Sequence, residues 1–130
     1  MSFSFEQAKS IIDNGISQAQ DYMSDPSKMD ALLIQLEGKL KEIPVAGETL
    51  ARVPLMVAMV KSYITKQYTE VSPKVIASMV SSFVYLVAPK DIIPDKMPLV
   101  GYVDDIGVLA GALKICEPEL NAFAEWRDKQ

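Results

Sequence analysis

The sequence predicts an all-α fold, a compact bundle of five or six helices, and three observations support this prediction. Apolar residues recur at every third or fourth position over most of the chain, which is the spacing of one helix face. Prolines and short polar segments separate these stretches, as they do between helices. With 130 residues, of which 49% are hydrophobic and 23% charged, the chain is long enough to bury a core. We therefore expect a single helical domain over residues 1–130.

The first two predicted helices, residues 4–23 and 28–42, form an amphipathic hairpin within residues 1–48. Ser4 is the expected N-cap of the first helix, and residues 24–27 separate the two helices because they contain serine, aspartate and proline. The second helix has an apolar stripe made of Met29, Leu32, Leu33, Leu36 and Leu40. Two interpretations are open: the hairpin covers the core, or it presents a surface to a partner.

A third helix is predicted to begin between residues 48 and 51 and to end near Tyr68. Pro54 is expected in its first turn, where the missing backbone N–H is not needed. Residues 53–60 are apolar all round, which indicates burial on several sides.

Ser72 and Pro73 are a strong helix-start signal, an N-cap serine followed by proline at the first helical position. The fourth helix is predicted to continue from there to about Val87. One of its faces has large apolar residues, whereas the other has small ones, among them Ser78 and Ser82. Small residues allow another helix to approach the backbone closely, so we expect a helix to pack on this serine face.

A fifth helix is predicted at about residues 102–115, and Pro118 opens a short sixth helix. The fifth helix contains Gly107 and Gly111, which lie four residues apart on one side of it. A glycine inside a helix costs roughly 1 kcal/mol, a cost that is easiest to explain if the glycines let a neighbouring helix come close. We predict that this neighbour is the serine face of the fourth helix.

The segment that joins the fourth and fifth helices, residues 89–105, is rich in proline and aspartate. Pro89, Pro94 and Pro98 each fix φ and so stiffen the segment. It also retains apolar residues such as Ile92, so we expect it to fold inward as a turn. Its aspartates are Asp91, Asp95, Asp104 and Asp105.

Three interpretations of these four aspartates are open. In the first, they cap the turn and the fifth helix, because a carboxylate near a helix start accepts from N–H groups without another partner. In the second, they form a metal site, because carboxylates and loop carbonyls are the ligands that Mg²⁺, Mn²⁺ and Ca²⁺ prefer. Against such a site, Asp104 and Asp105 point about 100° apart on a helix, and the spacing matches no EF-hand. In the third, the turn is an acidic docking surface with exposed apolar residues.

Histidine is absent from the sequence, and Cys116 is its only cysteine. These counts exclude a Ser-His-Asp triad, a Cys-His pair, histidine-ligated zinc and an intrachain disulfide, so we assign no catalytic residue. A lone cysteine after an apolar helix is expected to be a small buried hydrophobe. The formal net charge is −4 and the basic residues are scattered, which argues against nucleic acid as a partner.

Hydropathy raises the question of membrane spans. Residues 75–89 form an uncharged run of 15 residues, which at about 1.5 Å per residue covers roughly 22 Å of a hydrocarbon core of about 30 Å. The next candidate, residues 99–113, contains two aspartates, each costly in lipid. The N-terminus lacks the basic and apolar regions of a signal peptide. We expect a soluble cytoplasmic protein, with membrane association as the alternative.

One motif, within residues 70–116, resembles a known family. It consists of Tyr85, Pro89, Asp91, Pro94, Asp95, Pro98, Gly101, Asp104 and Asp105. This pattern is similar to the signature of the YkvA-like family, also called domain of unknown function 1232, with Ile92 where leucine is common. The resemblance implies a small helical protein, bacterial or archaeal, from a family without an established activity. Some members of that family are labelled membrane proteins.

We therefore expect a non-enzymatic interaction or scaffold domain that needs no cofactor. Its partner is expected to be another protein or a second copy of the chain. Two alternatives remain open: a divalent-cation-binding protein that uses Asp91, Asp95 and Asp104, and a peripheral or integral membrane protein.

Overall fold

The computed structural model of the chain describes residues 5–42, 48–88 and 102–130. Within these ranges the regular structure consists of six helices without a strand, which confirms the predicted all-α fold. The helices are α1 (Phe5–Asn14), α2 (Ile16–Met23), α3 (Pro26–Glu42), α4 (Glu48–Ile64), α5 (Pro73–Val87) and α6 (Tyr102–Asp128).

Helix α5 occupies the centre of the described structure. Every residue from Ile76 to Leu86 is buried, and α5 contacts each of the other five helices. A helix that is apolar or small on all sides is expected to be surrounded in this way. Its start confirms the predicted cap, because the Ser72 hydroxyl, just before Pro73, accepts from the backbone N–H of Lys74 at 3.1 Å.

Gly15 divides the predicted first helix into α1 and α2, so the prediction of one continuous helix over residues 4–23 is wrong. Its N–H donates to the carbonyl of Ile12 at 3.0 Å in a tight turn. The same carbonyl accepts the hydroxyl of Ser81 from α5 at 2.7 Å. The central helix thus supplies a donor at the point where the hydrogen-bond ladder of α1 stops. Ser4, the expected N-cap, lies outside the described residues.

Helix α3 begins at Pro26, two residues earlier than predicted. The carboxylate of Asp25 accepts the backbone N–H of Lys28 at 3.2 Å, so Asp25 acts as the N-cap. Proline is favoured at the first helical position, where its missing N–H would have no partner. Pro26 is therefore part of the helix rather than part of the break before it.

Pro54 and Pro118 both lie inside helices, which corrects two predictions. Pro54 is the seventh residue of α4 rather than part of its first turn. Pro118 lies within α6, so the predicted boundary between a fifth and a sixth helix is wrong and α6 continues to Asp128. A proline inside a helix removes the donor for the carbonyl four residues earlier, which is most costly where that carbonyl is buried. Both prolines are exposed, so water has access to that side of each helix.

Helix α4 ends at Ile64, four residues earlier than predicted, in a tight hydrogen-bonded turn. The N–H of Gln67 donates to the carbonyl of Ser62 at 2.8 Å, and that of Lys66 donates to Tyr63 at 3.1 Å. Lys66 has a φ of 64°, in the left-handed region. These are the bonds of a Schellman motif, which satisfies the last carbonyls of a helix.

Gly111 lets a neighbouring helix come close, but that helix is α1 rather than the predicted serine face of α5. A β-carbon at Gly111 would lie 2.5 Å from the β-carbon of Ala8 and 3.9 Å from Cδ1 of Ile12. Ser78 and Ser82 are buried, and each hydroxyl donates to a carbonyl of its own helix. The glycine is therefore a packing contact between α1 and α6.

Candidate functional site

The acidic segment that dominates the sequence falls mostly outside the described residues. Asp104 and Asp105 lie in the first turn of α6, but their side chains are not among those described. The capping, metal-site and docking hypotheses for the four aspartates therefore all stay predictions. Within the described ranges, no group of three or more histidine, cysteine, aspartate or glutamate residues could hold a metal ion. The motif residues outside the description are Pro89, Asp91, Pro94, Asp95, Pro98 and Gly101.

The motif tyrosine, Tyr85, lies in the core. It is 2% exposed on α5 and is among the largest fully buried side chains. A side chain in that position contributes to the packing of the interior. Of the predicted packing glycines, Gly107 is partly buried in α6.

The single cysteine is buried as well. Cys116 on α6 is 0% exposed, and its thiol donates to the carbonyl of Leu113 at an S···O distance of 3.6 Å. Burial raises the pKa of this thiol to about 12, because the thiolate would lose its hydration. The nucleophilic form is therefore scarce at neutral pH, as expected for a cysteine that packs as a small buried hydrophobe.

An open groove lies between α3 and α4, with a cavity volume of about 470 Å³. Pockets that bind small ligands or side-chain anchors fall in the range of about 300–1,000 Å³. The groove exists because α3 packs mainly against α5 whereas α4 packs mainly against α6, so the two helices touch each other only sparingly. Its walls are formed by Glu37, Leu40 and Lys41 of α3 and by Val53, Pro54, Val57, Ala58 and Lys61 of α4.

The groove has an apolar floor and a charged rim. Val53 and Val57 form the buried floor. Lys41 and Lys61 are exposed at the rim together with Glu37, so the rim has two cations and one anion. Apolar contacts in such a site supply affinity, and the rim charges orient what binds.

An exposed isoleucine lies beside this groove on the outer side of α3. Ile34 is 70% exposed, more than any other large hydrophobic residue in the described ranges. It precedes Lys41 by seven residues, two helical turns, so both project from the same side of α3. Gly38 lies between them, and no atom lies within 4 Å of the position that a β-carbon would occupy there.

Neither the groove nor the exposed isoleucine was predicted from the sequence. Ile34 did have a signal, because it falls outside the apolar stripe of its helix. The groove had no signal in the sequence, since it depends on which helices pack against α3 and α4.

Comparison with known proteins identifies one segment. Residues 75–111 match the family described as Protein of unknown function (DUF1232), which confirms the resemblance predicted from the sequence. The chain is also 29% identical over 69 residues to the uncharacterized membrane protein YkvA of Bacillus subtilis (strain 168). That alignment covers 53% of this chain and 65% of the relative, so the chain spans just under two thirds of the relative's length. No solved structure matches the chain.

None of the helices in the described ranges combines the length and the hydropathy needed to cross a membrane. The longest, α6, has 27 residues but includes charged positions along its course.

Proposed function

We propose that this chain, in which residues 75–111 match the DUF1232 family, is a non-enzymatic interaction domain that binds a helix of a partner protein. The groove between α3 and α4 is the observation that supports the proposal, because it is open, apolar at its floor and flanked by two helices. Such a groove accepts a helix of the partner protein whose apolar residues recur at every third or fourth position.

The rim charges specify the partner helix further. Lys41 and Lys61 favour acidic residues beside the partner's apolar face, and Glu37 favours one basic residue. The partner is therefore an amphipathic helix with a mainly acidic flank. Its apolar side chains fill the space above Val53 and Val57.

Capture from the native source tests this proposal. The full chain is immobilised and the retained proteins are quantified for wild type, for Ala58→Glu and for Lys61→Glu. We expect a partner that wild type retains and that Ala58→Glu loses, because a carboxylate in the apolar wall is costly to desolvate. Lys9→Glu on α1 is the matched control for the charge change at Lys61 and should retain the partner. If all four proteins retain the same set, the groove is not the binding site.

Membrane association is a second candidate, favoured by the similarity to the Bacillus subtilis relative, which is described as an uncharacterized membrane protein. Contact would be peripheral for the described helices and would use exposed apolar side chains such as Ile34. Flotation of the purified chain with vesicles of neutral and of anionic lipid tests it. Co-flotation that Ile34→Asp abolishes supports the candidate, and a protein that remains at the bottom of both gradients contradicts it.

A further inference from the structure

One face of α3 is exposed along its whole length in the described structure. This outer face consists of Ser27, Ala31, Ile34, Gly38 and Lys41, all of them exposed. Their spacing is four, three, four and three residues, which places them in one row along the helix. A single exposed isoleucine needs no explanation, but here the small residues Ala31 and Gly38 flank Ile34 and let another helix approach the backbone of α3.

We infer that a second copy of this chain docks antiparallel on the outer face of α3, about a twofold axis between Ile34 and Gly38. The isoleucine of each copy then lies over the partner's Gly38. Space exists there, because no atom lies within 4 Å of where a β-carbon of Gly38 would be. The contact is the same on both copies, as a closed twofold interface requires.

Charges at the two ends of the face select this orientation. Asp30 is exposed near the start of α3, one residue before Ala31, and Lys41 is exposed near its end. Antiparallel docking places Asp30 of each copy beside the partner's Lys41, so the interface contains two such pairs. Parallel docking would place each charge beside its own copy, which repels.

A third charge limits the strength of the dimer. Glu37 lies on the same flank of α3 as Asp30 and Lys41, close to the twofold axis, so it approaches the partner's Glu37. Helix α3 is also only about 25 Å long, so one helix pair buries less than a standard interface. We expect a weak, concentration-dependent dimer that Glu37→Gln tightens.

This inference goes beyond the proposed partner-binding groove, although Glu37 and Lys41 of α3 border both surfaces. Ala58 and Lys61 line the groove from α4, whereas the outer face belongs to α3 alone. Ala58→Glu should therefore leave the dimer unchanged, and Ile34→Asp should leave the groove intact. Failure of one proposal is thus distinguishable from failure of the other.

Sedimentation equilibrium of the full chain, from about 10 µM to about 1 mM, measures the dimer constant. Ile34→Asp should weaken the wild-type dimer by about tenfold or more, because it places a carboxylate against the partner's backbone. Gln20→Asp on α2 is the matched control, since it introduces the same charge at an exposed position outside the outer face. Circular dichroism and thermal melting establish that each variant is folded.

Exchange of charges is the decisive arm. Lys41→Asp alone should weaken the dimer several-fold, and so should Asp30→Lys alone. The double variant Asp30→Lys/Lys41→Asp should recover the wild-type constant, which no purely structural effect of either substitution would produce. A monomer at every concentration, an open series of higher oligomers, or a dimer indifferent to Ile34→Asp would each overturn the inference.

Discussion

Helices α5 and α3 are similar in length and opposite in surroundings. In α5 every residue from Ile76 to Leu86 is buried, including three serines. In α3 four residues are buried, and Ile34 projects into solvent. A substitution in α5 should therefore change the stability of the folded chain. A substitution on the outer face of α3 should mainly change binding to another molecule.

The buried serines of α5 each have a hydrogen-bond partner in the interior. Ser78 and Ser82 donate to the carbonyls of Lys74 and Met79 in their own helix. Ser81 instead donates across to Ile12, at the break between α1 and α2. Two serines therefore duplicate a bond that the helix already makes, and one provides a bond that α1 lacks.

The largest expected effect concerns the buried thiol of α6 at high pH. Burial raises the pKa of Cys116 to about 12, whereas an exposed thiol in the unfolded chain ionises near pH 8.5. The native state then holds a proton that the unfolded state has lost, so stability is unaffected below about pH 8.5 and falls as pH rises toward about 12. The free energy of unfolding should fall by on the order of 1 kcal/mol per pH unit in that window.

Denaturant unfolding of wild type and Cys116→Ala between about pH 8 and pH 11 measures this slope. The variant should lose most of the slope, even if the cavity lowers its stability at neutral pH. A residual fall at the upper end is expected from Tyr68, whose pKa burial raises, with smaller contributions from Glu70 and Glu119. Equal slopes for the two proteins would contradict the assignment.

The two glycines that face opposite surroundings give the next largest effect. Gly111→Ala should destabilise by about 1–3 kcal/mol, because the new methyl group meets the β-carbon of Ala8 and α1 must shift. Gly38→Ala, with open space around it, should stabilise dilute protein by about 0.5–1 kcal/mol. Thermal and urea unfolding measure both. A stabilising Gly111→Ala would show that α1 and α6 are less closely packed than described, and Ala8→Gly should rescue a destabilised one.

Substitution of a buried serine in α5 should change stability by a smaller amount, and a second buried serine serves as the control. Ser81→Ala should cost about 1–2 kcal/mol, since the buried carbonyl of Ile12 loses a donor and keeps only the N–H of Gly15. Ser82→Ala removes a bond to a carbonyl within the same helix and should change stability by less than about 0.5 kcal/mol. Urea unfolding compares the two variants, and equal losses would remove the bond to α1 from the explanation.

The elements that sequence analysis found are those with redundant local signals. The start of α5 combines a serine cap with a first-position proline, and both are where they were predicted. The apolar stripe of α3 is also confirmed in its four buried members, Met29, Leu32, Leu33 and Leu36.

The features that were not predicted from the sequence depend on the surroundings of a residue rather than on its type. A helix tolerates a glycine at a cost of roughly 1 kcal/mol, so nothing local says that Gly15 breaks one helix while Gly111 lies inside another. Pro118 is tolerated because its side of α6 is exposed, which no local pattern reveals. The groove between α3 and α4 depends in the same way on packing with other helices.

The smallest expected effect tests the one left-handed residue outside glycine in the described ranges. Lys66 has a φ of 64°, a conformation that costs a residue with a β-carbon about 1 kcal/mol and glycine almost nothing. Lys66→Gly should therefore stabilise by about 0.5–1 kcal/mol, even though glycine loses more entropy on folding. Gln67→Gly is the control, because that position has no positive φ. This variant should lose about 0.5–1 kcal/mol of stability. Melting temperatures that shift in the same direction for both variants would mean that α4 does not end in the Schellman turn.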